Sequence, residues 1–339
     1  MIRSGQIRGS PMVAVEPLKI SVVIPTYRRP ESLCRAVESV CRGRRLPSEI
    51  WLVGRKGDAE TEAAIRGLAS RFSSRVPIHD AWVTVPGHIP PVEEGVRLAT
   101  GDLVAFIDDD VTVPPDWLGK MVSRVCEDRV GVVGGRVIVP GVEPPRLKGH
   151  PGEFSWYGKH WGNLGWLNGT APIDVSGVVE CNWIWRRELI TSVFFDPVMN
   201  FDDGFMYGLD LCLQAREKGR RVIFDPLVEV NHHLVSRSPG LDRQDRPRRL
   251  FSYCRNYTYL MMKHLSVWRK PIFLFWWFLV GERGAWGPAT AIADTLLHGF
   301  RWRGEFLNSV RGKCEGLLCW WSFKELEERG IESLGGRLE

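Results

Sequence analysis

The chain has 339 residues, of which 44% are hydrophobic and 25% are charged. These proportions are typical of a folded globular protein with a sizeable core, and they exclude a disordered or fibrous chain. The formal net charge of +5 is small for this length, so charge gives no case for nucleic-acid binding. Residues 234–271 hold nine basic residues against two acidic ones, which concentrates the positive charge in one block.

Cysteine spacing and the chain terminus indicate a cytoplasmic protein. The eight cysteines are scattered without C-x-x-C or zinc-ligand spacing, which is typical of reduced, buried thiols. The first residues lack the unbroken apolar core of a signal peptide. The most apolar run, Ile272 to Val280, is far shorter than the ~20 residues that a spanning helix needs. No transmembrane helix is therefore predicted.

Short apolar runs alternate with amphipathic stretches through the first half of the chain, which is the pattern of a layered α/β sheet. The predicted strands of this half cover 19–25, 49–53, 103–107 and 130–139. The predicted helices cover 30–41, 58–72, 92–99 and a stretch after the prolines at 114–115. Glycine, proline and tryptophan then predict a long ordered loop over 140–170. Beyond it we expect a helix at 210–218, strands at 221–224 and 228–231, and helices after 250.

The sharpest chemical signal is a run of three carboxylates, Asp108, Asp109 and Asp110, directly after an apolar strand. Adjacent carboxylates repel each other and gain nothing from packing, so a cation is expected to offset the cost. Mg²⁺ and Mn²⁺ prefer oxygen ligands and bind through carboxylates together with phosphate oxygens. Ligands of open α/β sheets bind outside the carboxyl ends of the strands, where these acids lie. The alternative is a solvated acidic turn that caps the next helix.

Four blocks, 21–33, 99–118, 181–189 and 210–233, follow in the order seen in family 2 glycosyltransferases of the GT-A fold. On these motifs the stretch from 19 to 240 resembles that family. The resemblance implies a Rossmann-like, mostly parallel α/β sheet flanked by helices. It also implies metal-dependent, inverting transfer of a sugar from a nucleotide-diphosphate sugar to a hydroxyl of a saccharide or lipid-linked acceptor. Such transfer would serve the synthesis of cell-surface polysaccharide or glycolipid.

Domain boundaries follow from the extent of the resemblance. Residues 1–17 are predicted to be a flexible N-terminus, 18–240 the GT-A glycosyltransferase domain, and 241–339 a helical appendage rich in basic and aromatic residues. The appendage suits an interfacial element on an anionic leaflet at the inner face of the membrane. The alternative is a helix that covers the apolar surface of the catalytic domain, with its arginines as a solvated rim.

The resemblance assigns residues to the donor nucleotide. Pro25, Thr26 and Tyr27, after the first strand, are similar to the loop of the family that contacts the nucleobase. After the second strand the family often has an acidic turn that reads base and ribose, whereas this chain has Asp58 at the end of a longer loop. Asp58 is therefore predicted either to contact the nucleobase or to cap the following helix.

The acidic run corresponds to the D-x-D motif of the family. Asp108 and Asp109 are assigned to the nucleotide sugar, and Asp110 to Mn²⁺ or Mg²⁺ together with His232, which closes the run DPLVEVNH at 225–232. A carboxylate-held metal would neutralise the charge of the diphosphate as the glycosidic bond breaks. The ligand types do not distinguish the two ions.

The acceptor side and the catalytic base are assigned with open alternatives. Trp183, Arg186 and Trp161 are predicted on the acceptor side. The resemblance implies that Arg186 lies beneath the acceptor pocket or anchors the sheet. Trp161 belongs to a tryptophan-rich loop whose indole faces suit either stacking on sugar rings or a small apolar cluster. The acid that the family uses as base corresponds here to Gly208. Asp210 and Asp203 are the candidate bases, while Asp210 at a helix N-terminus also has a purely structural explanation. If neither acts, the chain is a degenerate nucleotide-binding or scaffold protein.

Overall fold

The computed structural model describes residues 18–144, 149–202, 204–234, 246–282, 284–298 and 303–328. The strands are β1 Ile20–Pro25, β2 Glu49–Arg55, β3 Ile78–Val83, β4 Leu103–Ile107, β5 Val111–Thr112, β6 Val130–Ile138, β7 Ile173–Asp174, β8 Asn182–Arg186, β9 Arg221–His232, β10 Gly281–Glu282 and β11 Ala285–Trp286. The helices are α1 Pro30–Cys41, α2 Ala59–Phe72, α3 Ile89–Leu98, α4 Trp117–Val125, α5 Arg187–Ile190, α6 Tyr207–Glu217, α7 Arg246–His264, α8 Arg269–Phe275, α9 Pro288–His298 and α10 Arg303–Glu328.

The central sheet has the strand order β3-β2-β1-β4-β8-β6-β9-β5, and β7 pairs with β9. Strands β1 to β4 are mutually parallel, and β8 runs antiparallel between β4 and β6. Strand β9 is parallel to β6. The predicted mostly parallel α/β sheet flanked by helices is confirmed.

Both faces of the sheet are buried, as parallel strands require. In β1, Val22 and Ile24 belong to the apolar cluster that contains Leu33 of α1. Val23, between them, belongs to the opposite cluster with Val92 of α3. This alternation explains why the first strand is apolar throughout.

Two elements differ from the sequence prediction. Helix α3 begins at Ile89, three residues before the predicted start. Pro90 and Pro91 occupy its first turn, where backbone N–H groups have no partner within the helix, so the missing N–H of proline costs no hydrogen bond. The strands predicted at 221–224 and 228–231 are one strand, β9. Its register against β6 shifts between Gly135 and Arg136, so the residues around Pro226 form an irregularity within the strand.

Helix α7 packs against the apolar cluster on one face of the sheet. Tyr257 and Leu260 of this helix are buried in the same apolar cluster as Val23 and Trp183. The Tyr257 hydroxyl donates a hydrogen bond to the carbonyl oxygen of Gly158 in the tryptophan-rich loop. For α7, the structure therefore supports a helix that covers the domain's own apolar surface. The predicted N-terminus 1–17 and the predicted boundary at 240 lie outside the described residues.

Membrane and cysteine features can be read from the described residues. Within these ranges, no helix combines the length and apolar character needed to cross a bilayer. All eight cysteines are free thiols. The expectation that they are buried is wrong for Cys126 and Cys314, which are exposed.

Candidate active site

A cleft of about 370 Å³ opens at the carboxyl edge of the sheet, where β4 ends in the acidic run. Loops after four parallel strands form its wall, together with residues before α6 and at the start of α7. The lining residues are Pro25, Thr26, Tyr27, Arg28, Arg29, Gly54, Arg55, Val83, Pro86, Gly87, His88, Pro91, Asp108, Asp109, Asp110, Asn200, Asp202 and Arg248. The sheet topology thus brings the predicted donor loop and the acidic run together.

Three side chains in or beside the cleft wall form a cluster of the kind that binds metal ions, called the metal-type group below. Asp108, Asp110 and His232 each offer one ligand atom, and these atoms lie within 4.8 Å of one another. Pairing of Val111 with His232 places the histidine beside Asp110, and their Nε2 and Oδ1 atoms are 3.0 Å apart. Carboxylate oxygens and an imidazole nitrogen are donors that Mn²⁺ accepts and Mg²⁺ accepts in part. The donor set fits a divalent ion.

Asp109 ties the loop after β1 to the end of β4. Its Oδ2 accepts a hydrogen bond from Thr26 Oγ1 at 2.9 Å, and its Oδ1 accepts one from Arg29 at 3.0 Å. Burial raises the pKa of Asp109 to about 6 although the Arg29 guanidinium opposes the shift. Arg29 also contacts Asp110 at 2.7 Å. Both carboxylate oxygens of Asp109 thus have protein partners. The nucleotide contact predicted for Asp109 stays a prediction.

Tyr27 and Asp58 have different positions relative to the cleft. The Tyr27 ring lines it and lies 4.1 Å from the Arg55 guanidinium carbon and 5.1 Å from that of Arg28. Asp58 is buried, and its Oδ1 accepts the Thr61 N–H at 3.3 Å at the start of α2. The predicted helix cap is confirmed. A nucleobase contact for Asp58 stays untested, and this residue is not part of the cleft wall that the described residues form.

Asp210 lies in a buried charge network outside the cleft wall described above. Its carboxylate contacts His264 Nε2 at 2.7 Å, Lys263 Nζ at 3.0 Å and Gln214 Nε2 at 2.9 Å. Burial opposes its charge, but hydrogen bonding to His264 and the charge of Lys263 outweigh burial and lower the pKa of Asp210. This placement favours the structural explanation over a role as base. Asp203, the other candidate, lies outside the described residues.

The network makes a pH-dependent contribution to stability. His264 contacts Asp210 and Glu217, each at 2.7 Å, and Lys263 is the neighbouring cation. Burial lowers the pKa of His264, but hydrogen bonds to the two carboxylates outweigh burial and raise it. A raised histidine pKa stabilises the fold below about pH 6.5, the unfolded value, and this contribution is lost as pH rises through the folded pKa.

His264→Gln is therefore expected to lower the free energy of unfolding more at pH 6 than at pH 9, because only the protonated ring gains from the two carboxylates. Urea unfolding at a series of pH values measures the difference from wild type. His150→Gln, at an exposed histidine, is the matched control. A difference that grows with rising pH would contradict the assignment.

The acceptor-side residues do not come together at the cleft. Trp183 is fully buried and packs against Phe106 and Trp185, with ring centroids 5.8 and 5.2 Å apart. Arg186 pairs in register with Leu103 at the opposite end of β4 from the acids. Arg186 donates to the carbonyl oxygens of Val130 and Val125.

These positions favour the sheet-anchor alternative for Arg186. Trp183 is enclosed by the core, and Arg186 anchors the far edge of the sheet, so neither side chain lies where a cleft ligand would bind. Trp161 is half-buried, and the Lys159 ammonium lies 4.4 Å from its ring centroid. The predicted sugar stacking at Trp161 stays untested.

Sequence reasoning missed two cations of the cleft, Arg29 and Arg248. Arg29 closely follows the predicted donor loop. Its contact with two of the three acids follows from the pairing of β1 with β4, which the sequence alone does not show. Arg248 belongs to the basic block that was interpreted as a membrane contact. Helix α7 instead brings Arg248 to the cleft, where it pairs with Asp202 at 2.7 Å.

A mostly parallel α/β sheet with an acidic metal-type group at the carboxyl end of β4 is the arrangement that the resemblance to GT-A glycosyltransferases implies. The family model described as glycosyl transferase family 2 matches residues 21–194, slightly more than half of the chain. The chain belongs to this family, as the motifs predicted, and it is a glycosyltransferase.

Curated relatives and solved structures agree with this assignment. A glucosyl-dolichyl phosphate glucuronosyltransferase of Haloferax volcanii is 27% identical over 232 residues, which cover 64% of this chain and 70% of the relative. The succinoglycan biosynthesis protein ExoM of Rhizobium meliloti is 27% identical over 51% of this chain and 53% of its own length. The mannosyltransferase PcManGT of Pyrobaculum calidifontis, solved with GDP-Man and Mn²⁺, superimposes with a TM-score of 0.55 at 16% identity, over 88% of this chain and 87% of its own. This last similarity concerns the fold.

Proposed function

We propose that the protein transfers a sugar from a nucleotide-diphosphate sugar to a hydroxyl group, with Mn²⁺ or Mg²⁺ held by Asp108, Asp110 and His232. The observation that carries the proposal is the convergence of these three ligand atoms within 4.8 Å beside a cleft of nucleotide size. The bound ion would supply positive charge to the leaving diphosphate. An acidic turn without a ligand would not need a histidine from a different strand beside it.

The remaining cleft residues suit a nucleoside diphosphate. The Tyr27 ring, flanked by Arg28 and Arg55, offers a flat surface against which a base can stack. Arg248 lies on the same wall and offers a cation to phosphate oxygens. We propose that these groups bind the nucleotide part of the donor. Inversion at that carbon is the outcome that the family resemblance implies.

The names of two relatives suggest the kind of acceptor and the kind of biosynthesis. The Haloferax volcanii relative is named for a dolichyl phosphate-linked glucose, and the Rhizobium meliloti relative for succinoglycan. We therefore propose a saccharide or lipid-linked acceptor, and a role in cell-surface polysaccharide or glycolipid synthesis on the cytoplasmic side of the membrane. Nucleic acid is not among the proposed partners.

A thermal-shift and product-release panel tests the donor. UDP-, GDP-, dTDP- and ADP-sugars are each tried with Mn²⁺, Mg²⁺ or EDTA. We expect a metal-dependent rise in Tm with one nucleotide class, because ligand binding to the folded state stabilises it, and nucleotide release from that donor. Absence of any shift with every nucleotide would overturn the proposal and favour the scaffold alternative.

A second proposal concerns contact with an anionic membrane surface. On α9, Leu296 and Leu297 are 82% and 75% exposed, and Val267 and Trp268, just before α8, are 82% and 64% exposed. Arg269 and Lys270 follow Val267 and Trp268 directly in the chain. Apolar side chains beside basic residues match an anionic lipid surface in charge and polarity. Monomeric proteins rarely expose large apolar patches without a partner.

The double change Leu296→Glu/Leu297→Glu is expected to lower binding to vesicles of phosphatidylglycerol and phosphatidylcholine at least ~10-fold, because it replaces apolar contact with like-charge repulsion. Co-sedimentation measures the bound fraction, with Leu227→Glu in β9 as the matched exposed-leucine control and pure phosphatidylcholine vesicles as the charge control. Equal binding by wild type and the double variant would remove the membrane proposal.

A further inference from the structure

Helix α6 begins beside a carboxylate that comes from another part of the chain. Gly208, in its first turn, has no side chain, and a Cβ built there would lie 2.2 Å from Cγ and 2.4 Å from Oε1 of Glu180. The Gly208 N–H donates a hydrogen bond to Glu180 Oε1 at 3.1 Å. Met206, which precedes the helix, gives no side-chain cap. Glu180 therefore lies in the volume that a side chain at 208 would enter, so a larger residue at 208 would displace the Glu180 carboxylate.

The strand register places Glu180 at the same edge of the sheet as the metal-type group. Strand β8 is antiparallel to β4, and their last pair is Ile107 with Asn182. The next positions outward are Asp108 on one strand and Cys181 and Glu180 on the other. A turn closed by the Asn182 N–H and the Val179 carbonyl oxygen, 3.3 Å apart, holds Glu180 in this place.

The negative charges of Glu180 and of the acidic run act on the same two buried groups, the Cys181 thiol and the Tyr207 hydroxyl. The pKa of the Cys181 thiol is raised by burial and then by the charges of Asp108, Glu180 and Asp110. The pKa of Tyr207 is raised by burial and then by Glu180 and Asp108. The Tyr207 ring also lies 5.6 Å from the ring of His88, which lines the cleft. Together with the strand register, this places Glu180 on the side of the sheet where the acidic group and Tyr207 lie.

We propose that Glu180 is the general base of sugar transfer. This inference rests on the proposed function. The Glu180 carboxylate takes the proton of the acceptor hydroxyl as that oxygen forms its bond to the anomeric carbon. The bond from the anomeric carbon to the diphosphate oxygen breaks, and its electron pair leaves on the diphosphate. Glu180 then loses the proton to solvent. The empty volume at Gly208 is what allows a carboxylate from the β8 turn to reach this position.

Other described carboxylates near the cleft have partners that suit them less for this role. Asp202 pairs with Arg248 and accepts a hydrogen bond from Ser252 at 2.9 Å. Asp109 is held by Thr26 and Arg29. Proton transfer to a cation-bound carboxylate is disfavoured, because the cation stabilises the ionised form. Glu180 accepts a hydrogen bond from the neutral Gly208 amide, which can weaken while the carboxylate takes up a proton.

Glu180→Gln separates a base from a helix cap, because the glutamine carbonyl oxygen can still accept the Gly208 N–H. We expect kcat for transfer, and for hydrolysis of the donor by water, to fall about 10²- to 10⁴-fold. KM for the donor and the Tm should stay near wild type. Glu188→Gln, an exposed glutamate on α5 at the opposite edge of the sheet, is the matched control with unchanged kcat. Turnover of Glu180→Gln within twofold of wild type overturns the inference.

Relocating the carboxylate gives an independent test that stands even if Glu180→Gln folds poorly. Gly208→Asp alone should lower activity, since its side chain collides with Glu180. The double variant Glu180→Ala/Gly208→Asp should exceed Glu180→Ala at least ~10-fold in kcat, because it restores an acid to the same volume. A double variant no more active than Glu180→Ala counts against the inference.

The nucleotide-induced Tm shift distinguishes this inference from the proposed function. Wild type and Glu180→Gln should both show the Mn²⁺-dependent shift with the donor nucleotide, since Glu180 is not assigned to donor binding. If wild type shows neither shift nor transfer, the proposed function fails and the inference falls with it. If both proteins bind and both turn over normally, the inference alone is wrong.

Discussion

Asp110→Ala is expected to reduce kcat/KM for sugar transfer by about 10³-fold and to abolish the Mn²⁺-dependent Tm shift with nucleotide. Asp110 lies between His232, 3.0 Å away, and Arg29, 2.7 Å away, and its ligand atom lies within 4.8 Å of those of Asp108 and His232. Removing its carboxylate takes away an anionic ligand and one of the carboxylates that pair with Arg29. Steady-state product release and thermal shift, each with Mn²⁺ and with EDTA, measure the two effects.

The control for this substitution is Asp116→Ala, at an exposed acid just before α4 that pairs with Lys120 at 2.8 Å. It removes the same group outside the cleft wall formed by the described residues, so binding and transfer should match wild type. A metal-dependent shift that persists in Asp110→Ala would show that the ion, if bound, is held elsewhere, and the assignment of the three ligands would be wrong.

Asp210→Asn is expected to lower the free energy of unfolding by about 3 kcal/mol, because breaking a buried ion pair leaves the partner charges uncompensated. The Asp210 side chain is 2% exposed, and it contacts both Lys263 and His264. Lys263 keeps its contact with Asp196 at 2.8 Å in the variant, which limits the loss. Urea unfolding at neutral pH measures the change.

Turnover per folded molecule decides between the two explanations of Asp210. A structural role predicts a destabilised protein whose kcat, corrected for the folded fraction, stays within a few-fold of wild type. Unchanged stability together with a loss of kcat would instead support the original hypothesis that Asp210 is the base. The exposed acid Glu62, which pairs with Arg66 at 2.6 Å, provides the control Glu62→Gln with little effect on either quantity.

Local patterns were sufficient for the donor side of the site. The acids directly follow β4 and the Pro25 loop directly follows β1, and parallel neighbouring strands end at the same edge of a sheet. Knowing that both segments are strands therefore nearly determines that they meet. For Arg186 the sequence left open whether the residue lies on the acceptor side or anchors the sheet, because five residues do not reveal the direction of β8. Its antiparallel course carries Arg186 away from the acids and carries Glu180 toward them.

The sequence by itself determined the family, the mostly parallel α/β fold and the acidic metal-type motif, because these depend on periodicity and on short contiguous blocks. Only the tertiary structure decided which carboxylates face the cleft, since that depends on strand direction and on side-chain volumes contributed by distant segments. Asp210 is drawn into the core by Lys263 and His264 of α7, 53 and 54 positions further along the chain. Glu180 occupies the volume left by Gly208, a relation between two segments 28 residues apart that no local pattern encodes.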